Sequence, residues 1–418
     1  MTKRKTRTRD WHSFNAFLNA VVRASERDWR EQMSQFDFTE SKVREASVRH
    51  CHRELEHVVA TRRLSNAATA LHETEDNLDS VATSAGFDGV HQLDMAMLAT
   101  YGLDAQGWRS ARGARTLTLT LPPDFRREET LSYIGRDRKS PIQRRTGETT
   151  FSVAIPVGKT NTARVDAEVG TTQVTAQLTL RGKCSDGAGP SAVRAISSLL
   201  GFGDDTTAFE DRARTDPTIA GLIARRPGLR VSRTIAPFDA VVWSIIGQQI
   251  SLPFAYQLLR ELTELVGSKT PGGMVAMPRA EQVASLEEAP LTARKFSRAK
   301  VSYLLGAARM CADGNLDLRA LQTGSAADAY ERLLAVRGLG PWSVNYVMMR
   351  ALGFADCAPI GDAGLRRALQ RFFVVTSPIT DAQMSAYMER FAPNRSLATF
   401  HLWRSFDKAL ETQDKALE

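Results

Sequence analysis

The chain is short of several features that would place it in other protein classes. No stretch of its 418 residues approaches the roughly 18–20 consecutive apolar residues that cross a bilayer. Its start, MTKRKTRTRDW, is basic but has no apolar segment of the kind that directs secretion. There are only four cysteines, Cys51, Cys184, Cys311 and Cys357, and none forms a CxxC pair. That argues against a zinc ribbon, a disulfide framework and an iron–sulfur cluster on a tight cysteine run; a reducing cytoplasm fits best. His50-Cys51-His52 makes a poor metal site, because adjacent side chains on a helix point apart, and a solvated face is expected there instead. Tandem repeats and low-complexity segments are also missing.

What is present is a globular composition, 43% hydrophobic and 24% charged, with a net charge of +8. An excess of Lys and Arg favours a polyanionic partner, since each cation can neutralise a phosphate and release a counterion. The length exceeds one ordinary core, so several domains are expected. Residues 1–10 read as a basic, disordered tail. Residues 11–112 are almost free of proline, poor in glycine and helical in pattern. Within them, Asn77 to Phe87 gives a short helix broken at Gly86, and a second helix runs from about Val90 to Thr100. Two short helices about a tight glycine turn form a helix-turn-helix candidate. From about Arg115 the period changes: Thr116–Leu121 and Gln173–Leu180 alternate polar and apolar residues, and Phe151–Val157 and Ala163–Val169 look extended. A small antiparallel sheet with one buried face is expected across 115–182, ending in a turn-rich break at Ser185–Pro190. Beyond Ser191 the pattern is helical again, clearest at Phe238–Leu265, Leu291–Ala312, Ala326–Val336, Trp342–Leu352 and Asp362–Phe373.

The segment Leu334-Ala335-Val336-Arg337-Gly338-Leu339-Gly340-Pro341-Trp342-Ser343 is the most informative. A helix ends at Val336, two glycines relax the backbone, and Pro341 suits the first turn of the next helix. Such a hairpin leaves backbone N–H groups open to a phosphate without reading sequence, although a plain helical turn would look much the same. Twenty residues on stands Pro359-Ile360-Gly361-Asp362-Ala363-Gly364-Leu365-Arg366-Arg367. Taken alone, Asp362 is a favoured helix N-cap. It gains interest by following a phosphate-binding hairpin at short distance.

Together, G-x-G-P-W-x-x-x-Y, M-R-x-L-G and P-x-x-D-x-G-L-R-R resemble the signature of the helix-hairpin-helix DNA glycosylases, nearest to the AlkA-type 3-methyladenine glycosylases. Ala224–Arg230, Phe238 and Ser244–Ser251 resemble that family's first core helices, Phe400-His401-Leu402-Trp403 its last, and the small sheet its N-terminal domain. The resemblance spans roughly residues 113–410. It implies a β domain (113–190) and an all-α helix-hairpin-helix core (191–410), which complete a multidomain α+β chain with the basic tail (1–10), the helical region (11–112) and a short tail (411–418). It implies that Asp362 is the catalytic carboxylate, that Trp342, Tyr346 and Trp403 line the pocket for a flipped base, and that Arg337, Gly338, Leu339, Gly340 and Pro341 hold the DNA backbone. Gln248 and Gln249 would fill the gap left in the duplex. No cofactor is required, though the carbonyls of Leu334, Val336 and Leu339 match those that often hold a monovalent cation.

The chemistry suits these residues. Breaking an N-glycosidic bond builds positive charge on the sugar, which a carboxylate stabilises while orienting water. Aromatic faces would favour a methylated purine that carries positive charge. Glycosylase-lyases of this superfamily carry a lysine in the hairpin's second helix, whereas Pro341–Leu352 has none, so Schiff-base chemistry lacks its amine. The expected activity is base excision repair by a monofunctional hydrolase of N-glycosyl bonds. It would act as a monomer on double-stranded DNA containing alkylated bases, in the cytoplasm on the nucleoid, and leave an abasic site.

Residues 54–112 resemble the second half of an AraC-type DNA-binding domain, carried by Arg62-Arg63-Leu64, Val81-Ala82, Gly86-Phe87, Tyr101-Gly102-Leu103 and Trp108-Arg109. The recognition helix this implies, His91–Leu98, has no Arg or Lys, and Asp94 would face the phosphates unfavourably. A DNA-binding regulator of the alkylation response with a vestigial glycosylase fold is the alternative reading.

Overall fold

The computed structural model describes residues 2–24, 29–180, 187–204 and 206–405. The expected 411–418 tail, the last residues of the expected 191–410 core and the turn at Ser185 lie outside them. The first helix runs Thr2–Arg23, so the stretch expected as a disordered tail is helical from its second residue. No helix among the described residues is long and apolar enough to cross a membrane.

The alternating segments form a five-stranded antiparallel sheet of β1 (Thr116–Thr120), β2 (Gln143–Arg145), β3 (Thr150–Val157), β4 (Asn161–Val169) and β5 (Gln173–Leu180), in the order β1-β5-β4-β3-β2. Thr118 pairs with Thr175 and Val165 with Leu178, which places the leucines and valines on one face and the threonines on the other. The pattern-based reading missed β2, three residues long with no alternation, and the helix Arg127–Ile134 between β1 and β2.

The apolar residues divide into cores at different places from the composition. Phe14, Phe17, Val43, Leu55 and Val59 make one core. A second joins Leu64 through Ala111, the sheet and the helix Ala188–Leu200. The apolar sheet face needs cover, and helices from both sides of it in sequence supply that cover. As a result, a single core spans the boundaries expected near 112 and 190. The helix Ala188–Leu200 lies so close to the preceding unit that a Cβ on Gly189 would fall 1.7 Å from the Ala111 carbonyl oxygen. The third and largest core holds the helices from Phe209 to Leu402.

Two local expectations are corrected. His50 and Cys51 are buried rather than solvated, with His50 stacked on Phe14 at 5.9 Å. Asp94 does not face outward as a phosphate-repelling charge: its carboxylate accepts the Ala105 N–H at 2.9 Å, at the start of the next helix.

Candidate functional site

Asp362 is the N-cap of the helix Ala363–Phe372, and its Oδ1 accepts the Leu365 N–H at 2.6 Å. The local reading as a cap therefore holds, and the carboxylate does more than cap. The Trp403 indole N–H donates to Oδ1 at 3.1 Å and the Trp342 indole N–H to Oδ2 at 3.2 Å. Donors from three helices fix the carboxylate, so its position is set by packing rather than by one rotamer. Tyr346 stacks on Trp342 with ring centroids 5.8 Å apart and lies 6.2 Å from Trp403. The fold thus gathers all four expected residues, Asp362, Trp342, Tyr346 and Trp403. The two indoles meet the carboxylate edge-on through their N–H groups.

The hairpin joins the helices Ala326–Leu334 and Pro341–Val347. Gly338 has φ +96°, and a Cβ there would fall 2.2 Å from the Tyr303 ring, so the turn needs glycine twice over. Gly340 is the N-cap and brings no side chain, which leaves the first-turn N–H groups open. The Val336 carbonyl accepts the Leu339 N–H at 3.0 Å.

The helix expected over Phe238–Leu265 is in fact two, Pro237–Ile246 and Leu252–Val266, separated by the loop that carries the glutamines. Gln248 points inward, its Nε2 donating to the Gly338 carbonyl at 2.7 Å and to Ser343 Oγ at 3.0 Å. Gln249 is exposed, with φ +56°, at the tip of the loop. The Lys300 Nζ donates to the carbonyls of Ile245, Ile246 and Gln248 at 3.1, 2.9 and 2.7 Å, so it caps the helix end and braces the loop.

Tyr346 is also one wall of a cavity of about 90 Å³ that pattern reading did not anticipate. Tyr133, from the helix Arg127–Ile134, closes it from the β-sheet side, and Trp243 and Tyr256 close it from the paired core helices. Arg136, Asp239 and Arg350 line it as well. Arg350 is carried in by a π-helical turn, Met348–Leu352, which continues the hairpin's second helix. Burial pushes the Asp239 carboxyl up to about 7, opposed by the N–H of Ala236. No sequence period marks these residues, because they come from several separate elements. The M-R-x-L-G motif is the one signal that touches them, through Arg350.

A family profile described as "HhH-GPD superfamily base excision DNA repair protein" matches residues 242–394. A DNA-3-methyladenine glycosylase of Bacillus subtilis is 32% identical over 215 residues, covering 51% of this chain and 71% of the relative. A Mycobacterium tuberculosis protein named as a probable bifunctional transcriptional activator and DNA repair enzyme is 28% identical over 221 residues; the match covers 52% of this chain and 43% of that protein. Among solved structures, a 3-methyladenine DNA-glycosylase of Archaeoglobus fulgidus aligns with a TM-score of 0.61 and 19% identity, over 70% of this chain and 99% of that one.

Proposed function

We propose that this chain, which belongs to the HhH-GPD superfamily of base excision DNA repair proteins, excises alkylated bases from double-stranded DNA as a monofunctional glycosylase. The observation that carries the reading is the Asp362 carboxylate, held by two indole N–H groups and a backbone N–H beside an aromatic wall. A base that leaves the duplex stack meets Tyr346, and its sugar meets the carboxylate. As the N-glycosidic bond lengthens, positive charge on the sugar is stabilised by Asp362, which also orients the attacking water and accepts its proton.

The hairpin residues Arg337–Pro341 take the DNA backbone, and the exposed Gln249 enters the gap while Gln248 ties its loop to the hairpin. The neutral carbonyl oxygens of Leu334, Val336 and Leu339 are donors that suit a monovalent cation, which would add positive charge facing a phosphate. Absence of lysine from Pro341–Leu352, and the binding of Lys300 to three carbonyls, support water rather than an amine as the nucleophile. A regulator with a vestigial site is disfavoured on two counts. The Asp362 cluster is intact, and the outer face of the helix Val90–Tyr101 offers His91, Gln92 and Met95 with no Lys or Arg to phosphate.

Incubation with methylated duplex DNA tests the reading. Free alkylated base and an unbroken strand bearing an abasic site are expected. A borohydride-trapped covalent adduct would contradict the water mechanism.

A further inference from the structure

The helix that carries Trp342 and Tyr346 is anchored at its far end by a part of the chain that lies outside the hairpin motif. It runs Pro341–Val347 and continues through the π-helical turn Met348–Leu352 to Gly353. A helix end leaves backbone carbonyls without partners inside the helix. Here they are taken from three directions. The Arg350 carbonyl accepts the Thr234 N–H at 2.9 Å, and the Ala351 carbonyl accepts from Gln322 Nε2 at 2.9 Å. The Gly353 carbonyl accepts from the guanidinium of Arg53, 300 positions earlier, in the break between the helices Glu40–Cys51 and Leu55–Glu73. Arg62, on the second of these helices, donates at 2.7 Å to the carbonyl of Thr323, the residue after Gln322. Its guanidinium is held in turn by the side chains of Asn15 and Asn19 on the first helix, at 2.9 Å each. The helix Glu40–Cys51 also packs against the hairpin's first helix, Ala326–Leu334. The N-terminal helices therefore touch both arms of the hairpin.

Arg53 and Arg62 are half-buried, and both donate to main-chain oxygens of the core. A guanidinium bond to a carbonyl is charge-assisted and stronger than a bond between neutral groups. Fixing Gly353 fixes a stiff element whose other end, about three turns away, is Trp342. The Trp342 bond to Asp362, at 3.2 Å, is the longest of the three on that carboxylate, so it is the first to be lost when the helix shifts. A displacement of about 1 Å at a reacting group can cost roughly a hundredfold in rate. We infer that the N-terminal helices form a positioning clamp on the glycosylase site, in which Arg53 and Arg62 hold the hairpin's second helix so that the Trp342 indole stays on Asp362. Arg53 is thus a positioning residue for base excision, and the N-terminal helices serve the reaction through the protein rather than through DNA. This inference rests on the glycosylase reading above and adds to it a role for residues outside the catalytic core.

The test is a double-mutant cycle read by single-turnover base release from methylated duplex DNA, with affinity for the same duplex measured alongside. Arg53→Met should release base about tenfold more slowly with affinity unchanged, and Arg53→Lys, which keeps a cationic donor, should recover part of the loss. In a Trp342→Phe background the indole bond is already gone, so Arg53→Met should there cost less than about twofold. Arg62→Met runs the same cycle from the other contact, with a fall of about threefold expected, so misfolding of one variant does not decide the outcome. A merely structural role would give the same fall in both backgrounds, and that result would overturn the clamp. So would an unchanged rate, or a loss of affinity equal to the loss of rate, which would place the N-terminal helices on the DNA. In each of these cases base release by the wild type leaves the glycosylase reading intact. No release by the wild type would overturn both.

Discussion

At the residue scale, Asp362 depends on groups that sequence spacing alone does not bring together. Trp342 and Trp403 are 61 positions apart, yet both indole N–H groups end on one carboxylate. Trp403→Phe keeps a ring in place and removes one donor. Steady-state kinetics should show base release falling about tenfold, near 1.4 kcal/mol, with DNA affinity unchanged. A buried histidine and a half-buried carboxyl give the fold a pH dependence of opposite sign. His401 is fully buried, and burial depresses its imidazole to about 3. The unfolded chain takes up this proton near pH 6.5 and the folded one does not, so stability is full above about 6.5 and falls as pH drops toward 3. Asp239 is raised to about 7, so its contribution is full below about 4 and is lost as pH rises toward 7. Melting temperatures across this range should show the acid limb flattened in His401→Leu and the neutral limb flattened in Asp239→Asn.

At the element scale, the hairpin and the glutamine loop act as one braced unit. Gln248 links the loop to the Gly338 carbonyl, and Lys300 holds the carbonyls at the preceding helix end. Lys300→Met strands those carbonyls. It should cost about 1–3 kcal/mol in denaturant unfolding and slow base release more than it weakens binding to undamaged DNA. The hairpin was legible because Gly338, Gly340 and Pro341 are local requirements of the backbone, and β5 because its alternation is strict. The break at 247–251 was passed over because the helical pattern resumes on its far side, although Gly247, the two glutamines, Ser251 and Pro253 mark it in the sequence; tertiary bonds from Lys300 and Gln248 then hold it open. Tyr133 and Arg136 were also invisible: an eight-residue helix and the turn that follows it carry no period long enough to read. The helix-turn-helix candidate does form two helices, Leu78–Ser84 and Val90–Tyr101, but Asp94 is spent on capping their neighbour.

At the scale of the whole molecule, the β-sheet unit and the helical core are joined next to the site. Glu129, on the same helix as Tyr133, accepts from Arg226 at 2.7 Å and from Arg404 at 3.0 Å. Both guanidinium groups are almost fully buried, so Glu129→Gln should destabilise the fold by about 3–5 kcal/mol in denaturant unfolding. The N-terminal helices dock beside the hairpin helices, where Arg62 donates to the Thr323 carbonyl at 2.7 Å and His52 packs edge-on to Phe354. These joints set the walls of a site whose chemistry converges on one carboxylate. The most direct measurement is base release from methylated duplex DNA by Asp362→Asn, made alongside its affinity for the same duplex. The account predicts at least about a hundredfold loss of release with binding retained. Release at the wild-type rate would contradict it.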